Sequence, residues 1–170
     1  MAVLNARPLV LLDVDGVLNL GLFLSSRQRG KLLGRDGWHN GRAGDPHDPC
    51  AERIVLNRRW GPMLRALEGD GAELAWATAW NEAANWFISP LLGLGDLPVA
   101  PARDGRKAET VVPWTGGRPW AWLEDREFEL EDASALAGDV PHLPVLVDPQ
   151  KGLAGEHVEA VSQWLRALRD

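Results

Sequence analysis

Two aspartates, two residues apart, close the first apolar run of the chain in Asp13-Val14-Asp15-Gly16-Val17-Leu18-Asn19. Carboxylates in such a place can do three things: bind a hard cation, attack an electrophile, or carry a proton. Gly16 lets the backbone turn sharply behind them. A second acidic pair, Glu124-Asp125, closes the later run Trp120-Ala121-Trp122-Leu123. Acids converging from two strand ends repel one another unless a cation lies between them. The two segments together therefore point to a metal site. The simpler reading is a turn in which Asp13 and Asp15 cap backbone amides.

Two more side chains suit the same chemistry. Trp76-Ala77-Thr78-Ala79-Trp80-Asn81 places a hydroxyl at the end of another apolar run, just before a helix. A hydroxyl beside a helix N-terminus can hold a phosphoryl oxygen, with Asn81 next to it; alternatively, Thr78 or Asn81 is a helix cap. Lys107 lies near the start of a short helix preceding the Glu124-Asp125 strand. From there it can reach the same crevice and neutralise a phosphate, where an ordinary lysine would sit on the surface.

Rival motifs fail on spacing. A calcium loop starting at Asp13 has Val17 and Leu18 where a ligand and a glycine are required. No Gly-x4-Gly-Lys-Ser/Thr phosphate loop is present. Gly93-Leu94-Gly95 follows no strand, so it is not a dinucleotide fingerprint. His47 and Cys50 lack the second pair a zinc tetrahedron needs.

The elements that must position these groups follow from hydrophobic patterning. Leu9 to Val14, Glu73 to Thr78, Trp120 to Glu124 and Pro144 to Val147 read as strands buried on both faces, with Leu97 to Ala100 as a shorter fifth. Between and after them the spacing predicts helices at 60–69, 81–92, 106–114, 131–137 and 157–168. Alternating strands and helices predict an α/β fold, a three-layer sandwich around a mostly parallel five-stranded sheet. In open sheets of this kind ligands bind at the carboxyl ends of the strands, where the acids fall. The 170 residues suit one domain. A hydrophobic fraction of 45% argues against disorder, and the lone Cys50 excludes a disulfide scaffold. No apolar run approaches a membrane span, and the N-terminus lacks a signal-peptide pattern, so a cytoplasmic protein is expected.

The segment from about 20 to 59 breaks the alternation. It is rich in glycine, shows little periodicity, and carries eight basic residues against four acidic ones in a chain of net charge −6. A long loop of this kind reads as a flexible or minimal lid over the site. Its Arg27, Arg29, Arg35 and Arg42 are candidates for a second phosphate or a nucleic-acid backbone. Trp38 is a candidate for stacking on a base, although most of the tryptophans read as core. Asp148, after the last strand, reads as a turn residue near the same edge.

In order and spacing, Asp13-Val14-Asp15-Gly16, Thr78, Lys107 and Glu124-Asp125 resemble the four motifs of the haloacid dehalogenase superfamily, over about Leu9 to Asp148. The wording around Trp76 to Trp80 and Pro119 to Asp125 is similar to a small bacterial subgroup whose domain also occurs in modular RNA-repair proteins. The resemblance implies a magnesium-dependent phosphatase working through an aspartyl phosphate. Asp13 would be the nucleophile and Asp15 the general acid and base. Mg2+ would be held by Asp13, the Asp15 carbonyl and Asp125, with Glu124 binding directly or through water. Thr78 and Lys107 would hold phosphoryl oxygens. The expected substrate is a phosphate monoester, either a phosphorylated small molecule or nucleotide or a nucleic-acid end. A phosphotransferase or mutase using the same site, and a non-catalytic phosphate- or RNA-binding module, are the alternatives.

Overall fold

The computed structural model describes residues 6–44, 47 and 51–170. Cys50, and with it the zinc reading of His47 and Cys50, lies outside these residues, as do Asp45, Pro46, Asp48 and Pro49. Thirteen elements follow one another along the described chain. They are β1 (Leu9–Leu12), α1 (Ser26–Leu32), β2 (Trp38–Arg42), β3 (Arg53–Asn57), α2 (Trp60–Gly69), β4 (Glu73–Trp76), α3 (Ala83–Phe87), α4 (Ser89–Leu92), α5 (Ala108–Trp114), β5 (Trp120–Glu124), α6 (Glu127–Ala137), β6 (His142–Leu146) and α7 (Gly155–Ala167).

The main sheet is parallel, in the order β4-β1-β5-β6. Leu9 pairs with Glu73 on one side and Trp120 on the other, and Leu12 with Trp76 and Leu123. β1 is thus central, and all four of its residues are fully buried. Its side chains alternate between two cores. Val10 and Leu12 join Leu64 and Leu67 of α2 and Val161 and Leu165 of α7. Leu9 and Leu11 join Val111 of α5 and Leu130 and Ala133 of α6. The result is a three-layer sandwich, as the doubly buried strands require. Because all four strands run the same way, Asp13, Thr78, Asp125 and Asp148 emerge at one edge of the sheet.

The expected fifth strand shrinks to a single parallel bridge between Trp76 and Val99. The amide of Trp76 donates to the Pro98 carbonyl and that of Ala100 to the Trp76 carbonyl, each at 2.8 Å. Pro98 and Pro101 have no N–H to extend the ladder. The helix expected over 81–92 is two short ones, α3 and α4, with Pro90 in the first turn of α4.

The insert departs most from expectation, since its described part is built of regular elements. Ser25 caps α1 in a reciprocal capping box with Gln28. β2 and β3 then form an antiparallel hairpin. Ile54, Val55 and Leu56 of β3 are buried in the same core as β1. The Leu20 amide donates to the Val55 carbonyl at 2.8 Å, tying the hairpin to the chain leaving β1. Trp38 is half-buried, packs edge-on against Trp60 at 5.6 Å and lines a surface pocket with Arg58 and Arg59, away from the edge where the acids emerge.

Candidate active site

The Asp13-Val14-Asp15-Gly16 turn is anchored from both neighbouring strands. The Asp13 amide donates to the Leu123 carbonyl at 3.1 Å, and the Ala77 amide to the Leu12 carbonyl at 2.8 Å. These bonds fix the spacing of the Asp13, Thr78 and Asp125 positions at the sheet edge. Gly16 has φ +81°, and a Cβ there would lie 2.5 Å from the Asp125 carboxylate. The absence of a side chain is what lets the two acidic segments meet. Gly16→Ala is expected to lower stability by about 1–3 kcal/mol, measured by urea unfolding, through the positive φ and the displaced carboxylate.

Lys107 Nζ lies 2.9 Å from Asp13 Oδ2 and 2.6 Å from Glu124 Oε2, with all three side chains buried. Burial disfavours the lysine's charge, but the charges of Asp13 and Glu124 outweigh it and hold its proton affinity above the ordinary value. Burial, and then Asp13, push Glu124 upward, while Lys107 pulls it down. Glu124 accepts from Lys107 and from the amides of Asp125 and Arg126, three donors suited to a carboxylate. Asp125 is raised by burial and by Asp13.

Asp13, Glu124 and Asp125 each place a carboxylate oxygen within 4.8 Å of the others. With Asp15 beside them, four acids face Lys107, and Arg126, itself paired with Asp104, adds a second positive charge near Asp125. A divalent ion with oxygen ligands fits this surplus of charge and this donor type. Asp125 lines the adjoining cavity, whereas Glu124 is taken up by its three donors.

Asp15 is held differently. Its carboxylate accepts from Trp80 Nε1 at 2.9 Å and from Asn19 Nδ2 at 3.1 Å. Burial is the main cause that raises its pKa to about 6; Asp13 and Glu52 add to it, and the two donors oppose it. Thr78 is buried and lines the cavity beside Asp13, Asp15 and Lys107, which encloses about 540 Å³.

Other expected contacts fall elsewhere. Asn81 lies in the left-handed region at φ 46° and ties its own loop to Ala102, donating to the Ala79 and Ala102 carbonyls and accepting from the Ala102 amide. It caps a loop and does not line the cavity. The insert arginines Arg27, Arg29, Arg35 and Arg42 do not line it either. Arg29 donates to the Leu24 carbonyl and Ser26, Arg42 to the Ala51 carbonyl, and Arg27 and Arg35 are exposed. The insert supplies Leu22, Phe23, Ala43 and Glu52 instead. Asp148 accepts from the Gln150 amide in a turn.

The structure adds residues that sequence reasoning passed over. Asn19, fully buried, spends its amide on Asp15, the Arg53 carbonyl and the amides of Gly21 and Val55. It fastens Asp15 to the insert. Glu129 of α6, also fully buried, accepts the amides of Lys107 and Ala108 at 3.1 Å each, fixing the backbone from which Lys107 reaches the acids. Arg126 lines the cavity, paired with Asp104 at 2.6 Å. For Asn19 the signal was a polar residue closing a run of apolar ones; for Glu129 the local sequence holds none.

The fold is that of a haloacid dehalogenase (HAD) domain. The HAD domain of effector protein Lem4 from Legionella pneumophila superposes with a TM-score of 0.56 at 11% sequence identity, covering 96% of this chain and 98% of that one. An inactive mutant of the same domain gives 0.56 at 10% identity, over 98% and 100%. No protein-family model matches the chain, and no curated protein sequence matches it. Among the described residues no helix is long and apolar enough to cross a membrane.

Proposed function

We propose that the protein is a magnesium-dependent phosphatase that hydrolyses a phosphate monoester through an aspartyl phosphate on Asp13. One observation carries the reading: Asp13, Glu124 and Asp125 bring carboxylate oxygens within 4.8 Å of one another at the edge of a cavity that Asp13, Asp125, Lys107 and Thr78 line. Phosphoryl transfer needs positioning and charge neutralisation above all, and these are the groups that provide both.

In the first half-reaction an Asp13 carboxylate oxygen attacks phosphorus while the bond to the ester oxygen breaks. Asp15 donates its proton to the departing oxygen. In the second, Asp15 takes a proton from water, whose oxygen attacks the same phosphorus. Inorganic phosphate leaves and the Asp13 carboxylate is restored. Thr78 donates its hydroxyl to a phosphoryl oxygen, and Lys107 offsets phosphoryl charge from its place beside Asp13. Asp13 and Asp125, with the Asp15 carbonyl, would hold Mg2+, which when bound supplies charge that lets a dianion approach a carboxylate.

Release of phosphate from an aryl phosphate, with and without magnesium, tests this. Turnover is expected with the ion and is expected to vanish in chelator; equal rates in both would overturn the metal's part.

A carboxyl with a pKa near 6 suits both proton transfers near neutral pH. The Trp80 N–H stabilises the ionised form of Asp15, so its removal raises the pKa. Activity that needs a protonated Asp15 falls as pH rises through that value. Trp80→Phe is therefore expected to move the alkaline limb of the kcat/KM profile to higher pH on the same substrate. A limb that stays, or moves to lower pH, would contradict the acid role of Asp15.

A further inference from the structure

The cavity wall beyond the acids has a chemistry of its own. Leu22, Phe23, Ala43 and Glu52 of the insert line it together with Trp80 and Ala83. Leu22 stands 66% exposed, apolar surface that a bound ligand would cover. The Glu52 carboxylate has no hydrogen bond or ion pair among the described residues, although bases surround it in the sequence. Arg53 donates to Asn40, Arg58 meets His39 and Arg59 pairs with Asp36. Among the described residues, the cations that line the cavity already pair with acids, Lys107 with Asp13 and Glu124, Arg126 with Asp104.

A second phosphate on the substrate would therefore meet Glu52, which has no partner among the described residues, and Asp104, which already shares Arg126. A positive group would meet an unpaired carboxylate beside an apolar wall. We propose that the site selects a monophosphate ester whose alcohol half joins an apolar body to a protonated amine, and that Glu52 recognises the amine. This rests on the phosphatase reading above and narrows its substrate away from a nucleic-acid end.

Three phenyl phosphates test it, bearing a para aminomethyl, hydroxymethyl or carboxymethyl group, assayed with magnesium on the full chain. The wild-type protein is expected to favour the amine over the alcohol by about tenfold in kcat/KM, the size of one charge-assisted hydrogen bond, with the carboxylate poorest. The difference is expected in KM. Glu52→Gln should bring amine and alcohol together, and Glu52→Lys should place the carboxylate first. Equal efficiency on all three, a preference that survives Glu52→Gln, or faster hydrolysis of a dinucleotide with a terminal phosphate would overturn the inference alone. No turnover of any phosphate ester would overturn the phosphatase reading and the inference with it.

Discussion

Asp13→Asn is expected to abolish phosphate release, by about a thousandfold or more, while the protein stays folded. An amide oxygen is not a nucleophile toward phosphorus, so the loss falls on the chemical step and appears in kcat. The fold survives because the amide oxygen can still accept the Val14 N–H, the contact Asp13 Oδ1 now makes at 2.8 Å. Lys107 keeps Glu124 as its partner at 2.6 Å. The substitution also removes one of the acids that crowd the edge of the sheet, so the change in stability is expected to lie within about 1 kcal/mol. Circular dichroism and thermal unfolding check the fold beside the assay. A mutant that turns over at the wild-type rate would remove Asp13 from the mechanism.

Lys107→Met is expected to do more, costing both turnover and stability. Among the described residues, Lys107 is the one cation that pairs with Asp13 and Glu124, and its side chain is 3% exposed. Removing it leaves two buried acids side by side without compensation, a loss of about 3–5 kcal/mol. The loss depends on pH in a defined direction. Burial and Asp13 already push the proton affinity of Glu124 up in the folded protein, and without Lys107 the cation that opposes this from 2.6 Å is gone. An ionised Glu124 then burdens the folded state at high pH. As pH falls, the folded protein binds that proton before the unfolded chain does, so the mutant recovers stability. The gap between mutant and wild type in urea unfolding should thus narrow as pH falls toward the raised folded-state pKa of Glu124, about 10 with Lys107 in place. A constant gap, or one that widens toward acid, would contradict the buried-charge account.

How far the sequence revealed this arrangement depended on how local the cause was. β5 and α2 were legible to the residue because a short apolar run or a single helical stripe decides them. Asp13, Thr78 and Asp125 were legible as polar residues closing apolar runs, and Lys107 as a lysine at the start of a short helix. The hairpin of β2 and β3 was hidden by glycines and arginines, although Ile54-Val55-Leu56 was a strand signal and Ser25 with Gln28 a helix start. The insert arginines were misplaced for a related reason. Charge along a sequence does not tell which face of a hairpin turns to a cavity, and here the cavity received Leu22, Phe23 and Glu52. Glu129 was invisible because its partners, the amides of Lys107 and Ala108, lie 22 and 21 residues away and are brought to it by packing of α5 on α6. Asn81 looked like a ligand for phosphate from its position after β4, yet its left-handed backbone and three bonds within the loops make it a structural clasp.

In the mechanism proposed above, Asp13 itself carries the phosphoryl group between the two half-reactions. A single turnover with a phosphorus-labelled aryl phosphate, quenched in acid and digested, measures that directly by mass spectrometry of the peptides. Transient label is expected on the peptide containing Asp13, dependent on magnesium and absent from Asp13→Asn. Phosphate released at the full rate with no label on that peptide, or with label on another, would contradict it.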